Sequence, residues 1–192
     1  MNRLKEVLKN KGISQTWLAD KMDKSYTSIN EYARNKRQPS LEDIYKIADV
    51  LNIDASELLV KKKKLEVVAG IIYFKNEILC VQRPKNKYNY ISEKFEFPGG
   101  KIEKGESKKA ALKRELSEEL NISPKIKSLF TTVVYQYPDF ELTMHSFICE
   151  TESKDLTLNE HIALEWLTFD ELNKLDWAAA DVPIVNKLVK NG

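Results

Sequence analysis

The stretch GKIEKGESKKAALKRELSEELNI, residues 100–122, places charged side chains at fixed distances on a short amphipathic helix. Its leucines recur four residues apart, which is the spacing of one buried helix face; they are Leu112, Leu116 and Leu120. Ser107 is the expected N-cap, because its hydroxyl can accept a hydrogen bond from the first turn. We therefore predict a helix over residues 107–120, preceded by a tight turn at Pro98-Gly99-Gly100.

The acidic residues of this helix share a face that differs from the leucine face. Glu115 and Glu119 lie four residues apart, and Glu118 lies three residues after Glu115. Like charges at such spacings destabilise a helix by ~0.2–0.5 kcal/mol per pair and raise each other's pKa, and a bound cation reverses both effects. Carboxylate oxygens favour hard ions, so Mg²⁺ is the first expected cofactor and Mn²⁺ the second. The alternative is a solvated charged face, in which Arg114 merely pairs with Glu118 one turn on.

The spacing of these residues resembles the Nudix box, G-x5-E-x7-R-E-U-x-E-E-x-G-U, in which U is a bulky aliphatic residue. Every position of residues 100–122 matches except Asn121, which replaces a glycine. Asn commonly adopts the left-handed conformation after a helix, so the chain can tolerate this departure. The resemblance implies a hydrolase that cleaves a diphosphate linkage with a divalent metal, and Arg114 as the residue that orients Glu115. The metal ligands that it implies are the Gly99 carbonyl and the carboxylates of Glu115, Glu118 and Glu119.

Composition and charge favour two small cytoplasmic domains. The chain has 192 residues, of which 42% are apolar, and it contains no apolar run of ~18 residues and no signal-peptide pattern. We therefore expect no membrane partner. Cys80 and Cys149 each lie in an apolar run, which predicts buried, reduced thiols. Residues 1–64 carry a net charge of +5 and residues 65–192 a net charge of −3. The lysine run at 61–64 marks the junction, and we predict domains at 1–60 and 66–192 with a linker at 61–65.

The first sixty residues have the apolar spacing and caps of an all-α domain of five helices. The expected helices are one ended by Gly12, one from Ser14 through Met22, and segments 25–33, 40–51 and 54–59. Residues 3–60 resemble a Cro/C1-type (XRE-family) helix-turn-helix, through Gln15, Leu18-Ala19, Ile29, Pro39-Ser40, Ile47-Ala48 and Leu51.

This second resemblance implies double-stranded DNA as a partner, with the third helix entering the major groove N-terminus first. The candidate base contacts are Tyr26, Thr27, Ser28 and Asn30, and the candidate phosphate contacts are Gln15, Arg34, Asn35, Lys36 and Arg37. We expect a homodimer on a two-fold symmetric site. The alternative is a helical bundle that serves dimerisation or protein contact, because a net charge of +5 is modest for a DNA-binding unit.

The second unit alternates strand and helix patterns, as in the α/β/α sandwich with a mixed sheet that is typical of Nudix domains. We predict strands at 66–74, 77–82, 129–137 and 141–150, and helices at 107–120, 170–174 and 182–190. The segments QRP at 82–84, EFPGGKIEKGE at 96–106, NEHIALEWL at 159–167 and LDWAAADVPIV at 175–185 narrow the resemblance to the MutT-like branch.

The MutT-like segments imply further site residues. Arg83 and Lys101 would hold the nucleotide and its phosphates, and Phe97 would either stack on the base or pack in the core. Glu160 would be a remote carboxylate near the metal or, alternatively, a surface glutamate. Asp181 would read the base edge, or cap the last helix, and both roles can coexist. His145 and His161 are expected to be structural.

The resemblance to MutT-like Nudix enzymes implies a pyrophosphohydrolase that cleaves nucleoside triphosphates, modified or ordinary, to monophosphate and pyrophosphate. Water would attack a phosphorus, most simply the β, and Glu118, Glu119 or Glu160 would accept its proton. Candidate substrates are oxidised purine triphosphates, methylated cytosine triphosphates, CTP and dCTP. The main alternative is a transcription regulator whose Nudix domain senses a nucleotide-type ligand. A third possibility is an enzyme whose N-terminal unit only dimerises.

Overall fold

The chain is described here by a computed structural model that covers residues 2–60 and 62–191. It divides into two compact units that meet between Lys62 and Lys63. Met1, Lys61 and Gly192, which belong to the predicted domain and linker ranges, lie outside the described residues. None of the helices in the described ranges is long and apolar enough to cross a membrane.

The N-terminal unit contains four α-helices, α1 (Leu4–Lys11), α2 (Gln15–Lys21), α3 (Tyr26–Ala33) and α4 (Leu41–Leu51). Serine hydroxyls cap three of these helices by accepting a hydrogen bond from the first turn; they are Ser14, Ser25 and Ser40. The predicted fifth helix is wrong: residues 55–58 form a single 3₁₀ turn, Ala55–Leu58. The segment is too short for an α-helix, because Leu59 is already extended and pairs with Asn2.

The C-terminal unit is built on a six-stranded mixed sheet. Its strands are β1 (Lys63–Phe74), β2 (Glu77–Gln82), β3 (Phe95–Glu96), β4 (Lys125–Gln136), β5 (Phe140–Glu150) and β6 (Ala163–Leu167). The order is β3-β2-β1-β5-β4, with β6 paired to β2. Only β1 and β5 run parallel among the strand pairs described, and the others are antiparallel.

One helix covers each face of this sheet, so the unit has the expected three layers. Helix α5 (Lys108–Leu120) buries its leucine face against Val68 and Ile72 of β1. Helix α6 (Val182–Asn191) packs through Ile184 and Leu188 on the opposite face, which carries Ala69 and Ile71. The alternation of β1 residues between the two cores follows the two-residue period of a strand.

The sequence patterns locate most elements of this unit but miss two strands. β3 has two residues, and β6 carries Glu165 between apolar neighbours on a half-buried edge, so neither shows a strong apolar period. β1 starts at Lys63, three residues before the predicted strand, so residues 63–65 of the predicted linker belong to the sheet. β4 starts at Lys125 rather than 129, and the predicted helix at 170–174 is a 3₁₀ helix, Phe169–Lys174. Both cysteines are buried free thiols, as predicted.

Candidate active site and nucleic-acid interface

The glycine turn at 98–100 is bound to β1 and faces helix α5. Val68 N–H donates to the Gly100 carbonyl over 2.8 Å, and Gly70 N–H donates to the Pro98 carbonyl over 2.8 Å. Gly99 has φ of +146°, and a side chain there would overlap the Val68 backbone. A Cβ at Gly100 would lie 2.5 Å from Glu115 Oε1. Only glycines let the turn approach β1 and the helix carboxylates this closely.

Arg114 connects helix α5 to the segment that precedes it. Its guanidinium donates to both carboxylate oxygens of Glu106, over 3.1 and 3.0 Å, and to the Lys101 carbonyl over 3.0 Å. The hydrogen bonds from Arg114 hold the pKa of Glu106 below its usual value. Arg114 also lies 3.0 Å from Glu115 and 3.1 Å from Glu118. Both arrangements considered from the sequence therefore coexist: Arg114 pairs with Glu118 and also contacts Glu115.

Glu119 is the most deeply buried acid of the box. Its residue exposure is 7%, and its Oε2 accepts a hydrogen bond from Gly99 N–H over 3.0 Å. Burial, followed by the charges of Glu96, Glu115 and Glu160, raises the pKa of Glu119 to about 8. No lysine or arginine in the described residues forms an ion pair with it. Glu119 is thus a carboxylate without cationic compensation beside a backbone turn.

A cavity of about 750 Å³ lies between the glycine turn, β1 and the segment before α6. This volume is within the range of small-molecule sites. One set of lining residues is acidic and comprises Glu96, Glu103, Glu115, Glu119 and Glu160. Another set could surround a ring system and includes Phe97, Tyr137 and Asp181. The cavity therefore combines an acidic part, next to the Nudix box, with an aromatic part that contains two further carboxyl groups, those of Asp139 and Asp181.

The cavity brings together most of the residues predicted from sequence. Lining it are Gly99, Glu115, Glu119, Glu160, Arg83, Phe97, Lys101 and Asp181. Glu118 and Arg114 do not line it. The Glu118 side chain is 56% exposed and is directed to Arg114. Placement in or beside the cavity does not test the roles given to these residues, which stay predictions.

The oxygen ligands predicted from the sequence suit a hard cation, but their side chains do not converge on a single position. Carboxylates and a backbone carbonyl are the ligands that Mg²⁺ and Mn²⁺ prefer. Across residues 2–60 and 62–191, no three His, Cys, Asp or Glu side chains converge as a metal site. The outward position of Glu118 is one reason, since it leaves Glu115 and Glu119 as the box acids that line the cavity.

Two residues at the cavity were not predicted as site residues from the sequence: Glu96, which lines it, and His161, which contacts Glu96. Glu96 forms a close ion pair with Arg83, and His161 Nε2 lies 3.3 Å from Glu96 Oε1. Arg83 is therefore held by Glu96 instead of being a solitary cation at a strand end. The available signal was the segment EFPGGKIEKGE, whose first residue is Glu96. His161, which the sequence predicts to be structural, contacts the site residue Glu96, and its role stays a prediction.

The carboxylate of Asp181 is hydrogen-bonded to the backbone of Phe97. Phe97 N–H donates to Asp181 Oδ1 over 3.1 Å, and Asp181 is 4% exposed. Burial, followed by the charge of Glu96, raises the pKa of Asp181 well above its usual value. Asp181 directly precedes α6, as an N-cap does, but its carboxylate accepts from Phe97, the residue after β3. The Phe97 ring is 3% exposed and packs 4.8 Å from Trp177, which favours core packing over base stacking.

In the N-terminal unit, the first turn of α3 presents Tyr26 and Thr27 to solvent, while Ser28 and Asn30 are half-buried. Arg34, Lys36 and Arg37 follow as exposed cations. Asn35 has φ of +55°, the left-handed conformation that glycine favours. Its side chain bonds to the Asn2 backbone in both directions, over 2.8 and 3.0 Å. Asn35 therefore stabilises the unit through its side chain, and Gln15 lies half-buried at the start of α2.

The family comparisons agree with this geometry. A model of the NUDIX domain matches residues 64–188, and a helix-turn-helix model matches residues 4–58. The 8-oxo-dGTP diphosphatase of Escherichia coli K12 is 37% identical over 127 residues, 66% of this chain and 97% of that protein. The CTP pyrophosphohydrolase of the same strain is 33% identical over 123 residues, 64% of this chain and 90% of that protein.

A solved structure adds a likeness in three dimensions. The solution structure of MutT, a Nudix family hydrolase from methicillin-resistant Staphylococcus aureus 252, has a TM-score of 0.55 and 38% identity. It covers 69% of this chain, and the chain covers 100% of it. The chain belongs to the NUDIX family. It is a MutT-like Nudix hydrolase that carries an N-terminal helix-turn-helix domain.

Proposed function

We propose that this protein is a metal-dependent pyrophosphohydrolase that converts nucleoside triphosphates to monophosphates and pyrophosphate. The observation that supports this most is the pairing, in one cavity, of an acidic part with an aromatic part that contains Asp181. Divalent cations held in the acidic part would bind a polyphosphate, and the aromatic part would enclose a base. The printed names of the relatives, an 8-oxo-dGTP diphosphatase and a CTP pyrophosphohydrolase, suggest those two nucleotides as the first to test.

The proposed metal ligands are the Gly99 carbonyl and the carboxylates of Glu115 and Glu119, joined by Glu118 after it leaves Arg114. A bound Mg²⁺ or Mn²⁺ would neutralise phosphate oxygens and lower the pKa of a bound water. Arg114 would act as a positioning residue, because its contacts with Glu106 and Glu115 restrict where the Glu115 carboxylate can lie. Glu118, Glu119 or Glu160 would accept the proton of the attacking water.

In the proposed reaction, the water oxygen bonds to the β-phosphorus. The bond between that phosphorus and the oxygen bridging to the α-phosphorus breaks, so the electron pair leaves with the nucleoside monophosphate. Lys101, at the cavity wall beside the glycine turn, is suitably charged to contact the phosphates. Arg83 shares its charge with Glu96 and would contact the substrate as part of that ion pair.

Asp181 would select the base. An ionised carboxylate only accepts hydrogen bonds and favours an amino group such as cytosine N4, whereas the protonated form can also donate. Its burial next to Glu96 favours the protonated form, so a carbonyl-bearing edge such as that of an oxidised purine is also acceptable. Both suggested nucleotides are therefore compatible with this residue.

We propose that residues 1–60 bind double-stranded DNA through the start of α3, as a dimer on half-sites ~34 Å apart. The base contacts would come from Tyr26, Thr27, Ser28 and Asn30, and the phosphate contacts from Gln15, Arg34, Asn35, Lys36 and Arg37. Exposed cations beside an exposed helix start support this assignment. A unit that only dimerises would give an oligomer without any salt-dependent affinity for DNA.

The test is pyrophosphate release from a panel of nucleotides by the purified chain with Mg²⁺, with Mn²⁺ and with EDTA. We expect turnover with either metal and none with EDTA. Glu119→Gln should lose about 10²-fold or more of kcat/KM while melting normally. The matched control is Glu152→Gln, an exposed loop carboxylate that should retain full activity. Equal activity of Glu119→Gln and wild type would refute the metal assignment.

The helix-turn-helix match favours one alternative, a regulator in which the Nudix domain senses a nucleotide-type ligand. This alternative predicts nucleotide-dependent DNA affinity without turnover. Measuring DNA binding with and without each nucleotide, beside pyrophosphate release, separates the two functions. Turnover together with a nucleotide-dependent DNA affinity would mean that both operate in one chain.

A further inference from the structure

Three tyrosines form a continuous stack along the aromatic part of the cavity. Tyr88 and Tyr90 belong to the loop between β2 and β3, and Tyr137 directly follows β4. The Tyr88 and Tyr90 rings stack with centroids 5.4 Å apart, and the Tyr90 and Tyr137 rings stack at 5.2 Å. The outer two, Tyr88 and Tyr137, line the cavity. We call these three residues the tyrosine stack.

The loop that carries two of these rings is held by hydrogen bonds within itself and to the neighbouring turn. Asn86 N–H donates to Ser92 Oγ over 3.0 Å, and Ile91 N–H donates to the Tyr88 carbonyl over 3.1 Å. The Tyr90 hydroxyl donates to Asp139 Oδ2 over 2.9 Å, in the turn that joins β4 and β5. The loop is therefore fastened against that turn, and Tyr90 supports the ring of Tyr137.

Tyr137 connects this stack to the segment that contains Asp181. The Ala180 N–H donates to the Tyr137 hydroxyl over 3.1 Å in a buried hydrogen bond. Ala180 immediately precedes Asp181, and the Asp181 N–H in turn donates to the Ala178 carbonyl over 2.9 Å. The hydroxyl of Tyr137 therefore holds the backbone of the residue next to Asp181, whose carboxylate accepts from Phe97 N–H.

We propose that Tyr137 is a positioning residue for base selection: it fixes the backbone before Asp181, and so the direction from which that carboxyl meets the base. The inference rests on the proposed function, because it assumes that Asp181 reads the base. The Asp181 carboxyl accepts a backbone hydrogen bond from Phe97. A small shift of residues 178–181 would therefore change its direction. The stack with Tyr90 restrains the Tyr137 ring, so the loop at 83–94 contributes to the same alignment.

The test compares Tyr137→Phe with Tyr135→Phe. Tyr135 lies two residues earlier, in β4, and packs its ring 4.7 Å from that of Tyr137. It gives no hydrogen bond to the described residues of segment 178–181. The readout is discrimination, the ratio of kcat/KM for CTP over UTP and for 8-oxo-dGTP over dGTP. A ratio is unaffected by the fraction of folded protein. We expect Tyr137→Phe to lower the ratio for the preferred nucleotide roughly fivefold to tenfold, and Tyr135→Phe to leave it unchanged.

Both substitutions are repeated in an Asp181→Ala background. Dissociation constants are measured by calorimetry with Mg²⁺ and the α,β-methylene analogues of the same nucleotides, which the proposed reaction cannot cleave. If Tyr137 acts through Asp181, its substitution should no longer change the ratio there. An equal change with and without Asp181, or no change in either background, would overturn the inference. Base-selective binding without turnover would refute the proposed hydrolase activity. The ratios of dissociation constants would then test the role of Tyr137 in place of the kcat/KM ratios. A wild-type chain that neither binds nor hydrolyses these nucleotides would overturn both.

Discussion

Gly100→Ala should separate activity from stability. A Cβ at this position would overlap the Glu115 carboxylate, with its Cδ and Oε2 atoms 2.4 Å away. Ordinary contacts begin at 3.4 Å, so the carboxylate must move by about 1 Å. Gly100 does not have a positive φ, so alanine can adopt its backbone conformation. A misplacement of about 1 Å in a reacting constellation can reduce the rate on the order of 10²-fold. We therefore expect kcat/KM for nucleotide hydrolysis to fall by that factor with a melting temperature close to wild type.

The neighbouring Gly99→Ala is the contrasting control for this measurement. Its Cβ would overlap the Val68 carbonyl and lie 3.0 Å from Ala69 Cα, and these backbone atoms cannot move aside as a side chain can. The φ of +146° adds strain of about 1–3 kcal/mol for any residue with a side chain. Gly99→Ala should therefore lower the melting temperature by several degrees.

The assay combines steady-state pyrophosphate release with thermal denaturation of both variants. A double variant with Glu115→Gln completes the design, because Gly100→Ala should cause no further loss once the Glu115 carboxylate is gone. Wild-type activity in Gly100→Ala would refute the assignment of Glu115 as a ligand that must stay in place. A large fall in melting temperature would refute the claim that the Glu115 side chain can yield.

Three further predictions concern other parts of the chain. Asp43 is buried in the N-terminal unit, and although burial opposes it, hydrogen bonds from Tyr32 and Lys24 lower its pKa. The stabilisation by Asp43 is therefore complete above the ordinary pKa of an aspartate and is lost as pH falls through the lower pKa of the folded state. Asp43→Asn should lower the free energy of unfolding by about 1–3 kcal/mol at pH 6 and by much less near pH 2. Equal losses at the two pH values in urea denaturation would contradict this. Lys36→Ala should reduce the slope of log affinity against log salt by about 0.9 in anisotropy titrations of duplex DNA, and an unchanged slope would exclude a phosphate contact. Asn121 has φ of +55°, a left-handed conformation that alanine adopts at a cost and glycine does not. Asn121→Ala should therefore lower the stability by about 1 kcal/mol in thermal denaturation, and Asn121→Gly should not. Equal stabilities of the two variants would contradict this explanation.

The sequence correctly predicted those features of the helices that depend on residues close together in the chain. The leucine face of α5, its Ser107 cap and the left-handed Asn121 all depend on spacings within one helix, and the structure has each of them. The same reasoning overestimated the segment 54–59, because a strong cap at Asp54 says where a turn begins and not how long it continues. β3 was missed because two residues cannot show a period.

The sequence predicted which residues line the candidate site better than it predicted which of them contact each other. The Nudix box identified Glu115 and Glu119 as neighbours of the glycine turn, and both line the cavity. The box also implied Glu118, but a four-residue spacing from Arg114 offered that carboxylate a competing partner, and it lies there. Glu96 could not be recognised from spacing, because its closeness to Arg83 and His161 arises from pairing among β2, β3 and β6.

The charges around the cavity give an independent reason to expect a cation with the substrate. Seven carboxyl groups line it, namely Glu96, Glu103, Glu115, Glu119, Asp139, Glu160 and Asp181. Five basic residues accompany them, namely Lys63, Arg83, Lys85, Lys87 and Lys101. Arg83 is already paired with Glu96, so the part beside the Nudix box is dominated by acids. A bare triphosphate would be repelled there, since like charges in a partly desolvated site interact strongly. A nucleotide that arrives with its divalent ions would remove this repulsion and would also give Glu119 the cationic partner that it lacks among the described residues.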